Sequence, residues 1–232
     1  MFHTFRRHLA VTSLCAAALL PFQVMAQEAV FVISTNEVGI PNYNPITAVN
    51  TNAAFTMIYD TLVEQDGDLS FHPHLAESWD EAPDGMLWTF HLKSGVKFHN
   101  GDPFNAQTVV TWLEMFRKSE SSYMIDAIDK VEAVDDLTVK FVMKHPDPNI
   151  LYNLSSSFMG VPDPAVVTEL GEDYGISEAI GTGPFKMESF TLGQETVLVR
   201  NDDYAWASPL AANQGPPKLA KLTLREIAED ST

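Results

Sequence analysis

The sequence predicts an α+β protein of mixed α/β character, and three observations lead there. Some stretches alternate apolar and polar residues with the period of a half-buried strand. Others repeat apolar residues with the period of an amphipathic helix. Turn residues separate the two kinds in an irregular order, without the regular strand–helix–strand series of a parallel sheet.

The N-terminal segment stands outside that pattern. Arg6 and Arg7 precede an apolar run from Leu9 to Phe22, and Val24-Met25-Ala26 supplies small or permissive residues beside a cleavage point. This is the layout of a secretory signal peptide over residues 1–26, and the apolar run is too short to span a bilayer. Cys15, the only cysteine, leaves with that segment, and Leu14 stands before it where a lipoprotein site would carry Gly or Ala. The exported chain is therefore expected to rely on a hydrophobic core of ordinary size, without disulfides.

The remaining elements follow in order. Val30 to Ser34 reads as a buried strand, followed by a loop rich in Asn, Gly and Pro over 36–45. Asn52 is placed to cap a helix in which Phe55, Ile58, Tyr59 and Leu62 share a face. Trp88, Phe90 and Leu92 alternate with Thr89, His91 and Lys93; Ser94-Gly95 turns the chain and Val96-Lys97-Phe98 starts back, which predicts a hairpin. Asn105 caps a second helix with a Val109, Trp112, Leu113, Phe116 stripe and Arg117-Lys118 at its end. Leu137, Val139, Phe141 and Met143 mark another alternating strand, and Pro162 and Pro164 open a short helical stretch. Thr196–Arg200 and Lys221–Ile227 supply the last strands.

Charge excludes several function classes. The 232 residues hold 14 basic and 31 acidic side chains, net −17, and removing Arg6 and Arg7 with the signal segment leaves 12 against 31, or −19. Nucleic acid and anionic lipid both require clustered Lys and Arg, so neither is an expected partner. The acidity reads as solubility in an exposed compartment.

No catalytic centre emerges from the motifs. Ser94-Gly95-Val96-Lys97 has the S-x-x-K spacing of penicillin-binding enzymes, but that chemistry needs the serine at a helix start, and here a turn and a strand are predicted. His72-Pro73-His74 could contribute to a metal site with Glu77 or Asp80, yet the proline favours a surface crossing with solvated histidines. His91 and His99 read as exposed. No cofactor motif and no metal site are predicted. Tyr204 and Trp206 sit in a polar setting that core packing alone does not account for.

Two stretches together go further. "LAESWDEAPDGMLWTFHLKSGVKFHNGDPFNAQTVV", Leu75 to Val110, resembles the signature of the family 5 extracellular solute-binding proteins, the binding components of peptide and nickel ABC importers. It has the Ala-x-x-Trp start, the Pro-Asp-Gly turn, the Thr-Phe-x-Leu-Lys strand and Val-Lys-Phe-x-x-Gly-x-Pro-Phe-x-Ala before a helix. "GTGPF", Gly181 to Phe185, with Arg200-Asn201-x-x-Tyr204, is similar to a later family motif, although Ala205 here separates Tyr204 from Trp206. "MIYDTLVEQD", Met57 to Asp66, matches the family's first helix and turn.

The resemblance implies a type II periplasmic-binding-protein-like fold. In that scheme 27–55 and 181–232 form the core domain of the first lobe, 56–180 an inserted subdomain, and the chain ends before the second lobe. Gly181-Thr182-Gly183-Pro184 would carry the chain back to the core domain, with glycine permitting positive φ. The resemblance implies a periplasmic location, a di- or oligopeptide ligand, and an inner-membrane ABC permease and its ATPase as partners, with no enzymatic activity. A nickel chelate or another small solute is the alternative; Phe158 stands where nickel binders carry an arginine. A secreted hydrolase built on Ser94 is a third. The residues expected to face a ligand are Asn42, Tyr43, Thr51, Asn52, Tyr123, Ser156 and Phe158.

Overall fold

Two four-stranded sheets and a two-stranded ribbon carry the chain in the computed structural model, which describes residues 27–34 and 40–227. The signal peptide expected over 1–26 lies outside the described residues. β1 (Gln27–Ser34) leads to a loop and to α1 (Ala53–Ile58), and β2 (Val63–Gln65) and β3 (Phe71–Pro73) form the ribbon. β4 (Ala76–Glu81), β5 (Leu87–Leu92), β6 (Ile128–Asp135) and β7 (Thr138–Met143) make an antiparallel sheet in the order β4-β5-β7-β6. α2 (Ala106–Phe116) lies between β5 and β6 in sequence and packs on β6 and β7. α3 (Ile150–Ser155) and α4 (Pro164–Leu170) follow. β8 (Phe185–Thr191), β9 (Glu195–Arg200) and β10 (Leu219–Ile227) complete the other sheet, ordered β1-β10-β9-β8, with β1 parallel to β10.

The side chains separate into two cores. Trp88, Phe90 and Leu92 of β5 and Val139 and Phe141 of β7 meet the α2 stripe of Val109, Trp112, Leu113 and Phe116 in one. Asn105 closes α2 with a reciprocal capping box to Thr108. The second core gathers Tyr43, Phe55, Ile58, Tyr59, Tyr174, Leu198, Leu222 and Leu224 against the β1-β10-β9-β8 sheet. Each large buried side chain contributes about 1.5–3 kcal/mol through the apolar surface removed from water. Phe158 packs against both cores.

Several expectations need correction. β5 alternates as predicted, but it pairs with β4 through the Pro83-Asp84-Gly85 turn and with β7, not with Val96–Phe98. Residues 96–98 instead close locally on 102–104, Phe98 N donating to Asp102 O and Phe104 N to Val96 O. Val30 and Phe31 of β1 are 59% and 55% exposed, so this strand is not the buried one predicted. α1 stops at Ile58: Tyr59 is already extended (φ −122°, ψ 130°), and Leu62 reaches the other core from beyond the helix.

The glycines of the crossing are needed for a different reason from the one predicted. Neither Gly181 nor Gly183 has positive φ. A Cβ on Gly181 would lie 2.1 Å from Ile58 O, and one on Gly183 would lie 2.5 Å from Met57 O. The two backbones touch here, Gly183 N donating to Ile58 O at 2.9 Å, and only glycine leaves room for it.

Candidate functional site

The segment that connects the two cores begins with α1. Asn52 accepts the Ala54 N–H through Oδ1 and starts the helix; the extended Tyr59 ends it and turns Asp60 inward. Asp60 is 1% exposed. Its Oδ1 faces His74 Nε2 at 3.1 Å and accepts from Tyr204 Oη at 3.3 Å. Its Oδ2 accepts from Thr182 Oγ1 and from Trp206 Nε1, both at 3.0 Å. Burial works to raise this carboxyl; the charge and hydrogen bond of His74, with the donors Trp206 and Thr182, outweigh it and hold Asp60 below the ordinary carboxylate range.

The same junction carries two more polar groups, Lys93 half-buried and His99 buried. Lys93 donates to the carbonyls of Trp206 (3.0 Å) and Ala207 (3.2 Å). His99, expected on the surface, is buried: Nε2 donates to Gly183 O at 3.0 Å and Nδ1 accepts from Gly181 N at 3.3 Å. Desolvation pushes His99 down to about 4. Tyr204 and Trp206, left without a role by the sequence, both donate to Asp60 and hold residues 204–206 against the end of α1.

Beside the junction is an open hollow of about 360 Å³, lined by Thr56, Tyr59, Thr61, Glu64, Gln65, His74, Tyr152, Ser155, Ser156 and Ser157. It lies between the end of α1, the β2–β3 ribbon and α3. Most of its hydroxyl donors are already engaged. Thr56 donates to Ala53 O, Tyr59 to Tyr43 O, Thr61 to Val63 O and Ser155 to Tyr152 O. Their oxygens keep acceptor lone pairs. No Lys or Arg lines the hollow.

The expected ligand-facing residues divide. Ser156 lines the hollow, and Thr51 is tied to its wall by a 2.7 Å hydrogen bond to Ser157 Oγ. Phe158 is half-buried one residue beyond. Tyr43 is fully buried, its hydroxyl 2.7 Å from Thr196 Oγ1 and accepting from Asn52 Nδ2 at 3.2 Å, so both Tyr43 and Asn52 are held within the fold. Asn42 braces its own loop, Oδ1 accepting from Asn44 N, and lines a separate groove with Asn44, Ile46 and Met115. Tyr123 is 69% exposed in a short 3-10 turn and does not line the hollow.

The sequence reading missed Asp60, Glu64 and Tyr152, and weighed His74 only as a metal ligand. Asp60 alone carried a signal, a carboxylate inside the apolar run from Phe55 to Leu62. His72 and His74 are not solvated as predicted: His72 Nε2 meets Asp66 Oδ2 at 2.7 Å, and His74 is largely buried against Asp60. Among the described residues no group of three or more His, Cys, Asp and Glu could hold a metal ion. Ser94 sits exposed in a turn, so the helix-start geometry that the S-x-x-K reading needs is not met.

Residues 70–232 match the sequence profile of the bacterial extracellular solute-binding proteins, family 5, middle region. The glutathione-binding protein GsiB of Pectobacterium atrosepticum is 30% identical over 233 residues, covering 98% of this chain and 43% of the relative. Di/tripeptide-binding protein 1 of Pseudomonas aeruginosa is 30% identical over 226 residues, covering 85% of this chain and 42% of the relative. The structure of MoaA in complex with mannopinic acid, from A. tumefaciens R10, superposes with a TM-score of 0.76 at 30% identity, covering 88% of this chain and 41% of that one. The chain thus spans about two fifths of the length of the relatives it matches.

Proposed function

The chain belongs to the family 5 bacterial extracellular solute-binding proteins, and on that premise we propose that it supplies the first ligand-holding lobe of a periplasmic receptor for short peptides. The type II periplasmic-binding-protein fold of its structural neighbours places ligands in a cleft between lobes. The observation that carries the peptide reading is the hollow beside Asp60: hydroxyl-lined, without Lys or Arg, and flanked by Thr51, Ser156 and Phe158 from the expected set. Extended peptides are held through main-chain hydrogen bonds with little demand on side-chain identity, and such a surface suits them. Two relatives bear names for small peptides, glutathione and di/tripeptides.

In this reading the chain is exported by cleavage after Ala26, works in the periplasm, hands its ligand to an inner-membrane ABC permease and its ATPase, and performs no chemistry of its own. The described residues contain no helix long and apolar enough to cross a membrane. Residues 27–55 and 181–232 act as the core domain and 56–180 as the inserted subdomain. The two side-chain cores support that division in outline, although Tyr204, Trp206 and Ala207 join the core of the inserted elements.

The test is thermal unfolding of the purified chain with increasing di- and tripeptide, against Ni(II)–histidine as the competing solute. A ligand that binds only the folded chain stabilises it by about 1.4 kcal/mol for each tenfold rise above its Kd. Peptide-dependent stabilisation is expected; stabilisation by the nickel chelate alone would overturn the peptide reading.

A further inference from the structure

The four-stranded sheets have four edge strands, β1 and β8 in one and β4 and β6 in the other. An edge strand leaves every second residue's N–H and C=O without a ladder partner, and such a row is a template for another strand unless something blunts it. Three of the four are blunted. β4 carries three charged side chains and β6 four, with irregular pairing near both ends of β6. β8 carries Lys186 and Glu188, with a break in register after Met187.

β1 is different. Its sequence, Gln-Glu-Ala-Val-Phe-Val-Ile-Ser, holds Glu28 as its one charge and has no proline. It runs in unbroken parallel register with β10 from Glu28 to Ser34. Val30 and Phe31 are 59% and 55% exposed, and neighbours on a strand point to opposite faces. At this point neither face of β1 is covered by the described residues. Ala29 still reaches the second core, but Phe31, on the same face two residues on, is left outside it.

The chemistry of this edge selects its occupant. An apolar strand of β-branched and aromatic residues takes another extended strand of the same kind, through main-chain hydrogen bonds along the edge and apolar contacts on both faces. A second β1 meets that description. In an antiparallel pair with its twofold axis at Val30, or between Val30 and Phe31, Glu28 lies opposite residue 32 or residue 33 of the other copy. The strand's one charge therefore never faces its mate. β8 in the same place would bring Lys186, Glu188 and a broken register to the edge. Pairing through β1 joins two four-stranded sheets into one of eight strands, within the size that open sheets reach.

We propose that β1 is an interaction edge and that its partner is a second copy of this chain, paired antiparallel about a twofold axis near Val30. Sedimentation velocity of the purified chain tests it. One added strand is a small interface, so a dimer with a Kd on the order of 10 μM is expected in a series from about 1 to about 200 μM. The series should stop at the dimer, because a twofold contact closes on itself. Val30→Lys sets like charges at the centre of the pair and is expected to weaken association about tenfold or more. Ser189→Lys, the same kind of change at an exposed position of β8, should leave association as it is.

Hydrogen exchange at the β1 amides that point away from β10 supplies a second reading that needs no variant. Protection that rises with chain concentration would support the pairing. Protection already complete in a monomer would mean that a segment of the same chain covers the edge, and would overturn it. So would a monomer with unprotected amides at every concentration, association that grows past the dimer, or a dimer that Val30→Lys leaves intact.

Discussion

Asp60 and Glu64 stand close together in sequence and in opposite surroundings. Asp60 is sealed, its two oxygens facing His74, Tyr204, Thr182 and Trp206, donors drawn from three separate stretches of chain. Glu64 is half in water, its carboxylate without a hydrogen-bond partner among the described residues, on the wall of an open hollow lined by hydroxyl groups. The difference separates two uses of a carboxylate. One is saturated by the fold and joins its parts; the other keeps its acceptor capacity and remains available to something outside the chain. A buried charge is tolerated only when its partners are complete, and a free one persists where solvent or a ligand can reach it.

The sharpest way to break this comparison is to remove Asp60. Asp60→Ala would leave His74, Thr182 and Tyr204 with unmade bonds, while Trp206 Nε1 keeps only its bond to Thr182 O. The expected loss is about 3–5 kcal/mol of folding stability, the range found when one partner of a buried charged pair is deleted. Urea unfolding at neutral pH measures it; a loss under about 1 kcal/mol would mean that the donors find water and that the junction is not closed.

Acid addresses the closed side by another route. His99 belongs to that junction through Gly181 and Gly183, and its folded-state value lies near 4 against an ordinary 6.5. Between those values the unfolded chain takes up a proton that the folded chain excludes. Stability from this group is therefore complete above pH 6.5 and declines as pH falls toward 4, by up to about 3 kcal/mol. Asp60, held low by its partners, loses its own contribution only at more acid pH, as pH falls through its folded value. Unfolding free energy measured across pH 4–7 should show the decline, and His99→Gln, which keeps a donor and an acceptor, should flatten it; an unchanged slope in that variant would assign the effect elsewhere.

These two regions were unequally legible in the sequence. The α2 stripe and the alternation in β5 and β7 could be read because each is a local period imposed by one buried face. β4 and β6 escaped because most of their side chains are in water, so little alternation was written into them. The hairpin assigned to Ser94-Gly95 failed because a turn motif does not say which strands pair: β5 found β4 and β7, and the chain after Gly95 closed on itself. Gly181 and Gly183 were noticed, but the reason for them, contact with the backbone of Met57 and Ile58, lies more than a hundred residues away. The Asp60 junction was invisible for the same reason. Its donors come from positions 74, 182, 204 and 206, and no local pattern announces that they meet.

The smallest expected effect is the one that sharpens the comparison most. Glu64→Gln keeps the side chain's volume, removes its charge and breaks no hydrogen bond among the described residues, so its folding stability should lie within about 0.5 kcal/mol of the parent chain. A carboxylate that held the fold would show itself here as a clear loss, as at Asp60. The field of Glu64 favours the charged form of Lys93 without a direct ion pair, so removing that charge should cost little. A loss above 1 kcal/mol would mean that Glu64 is part of the junction after all. Neutrality in stability together with a change in ligand preference is the signature of a residue that the fold leaves free.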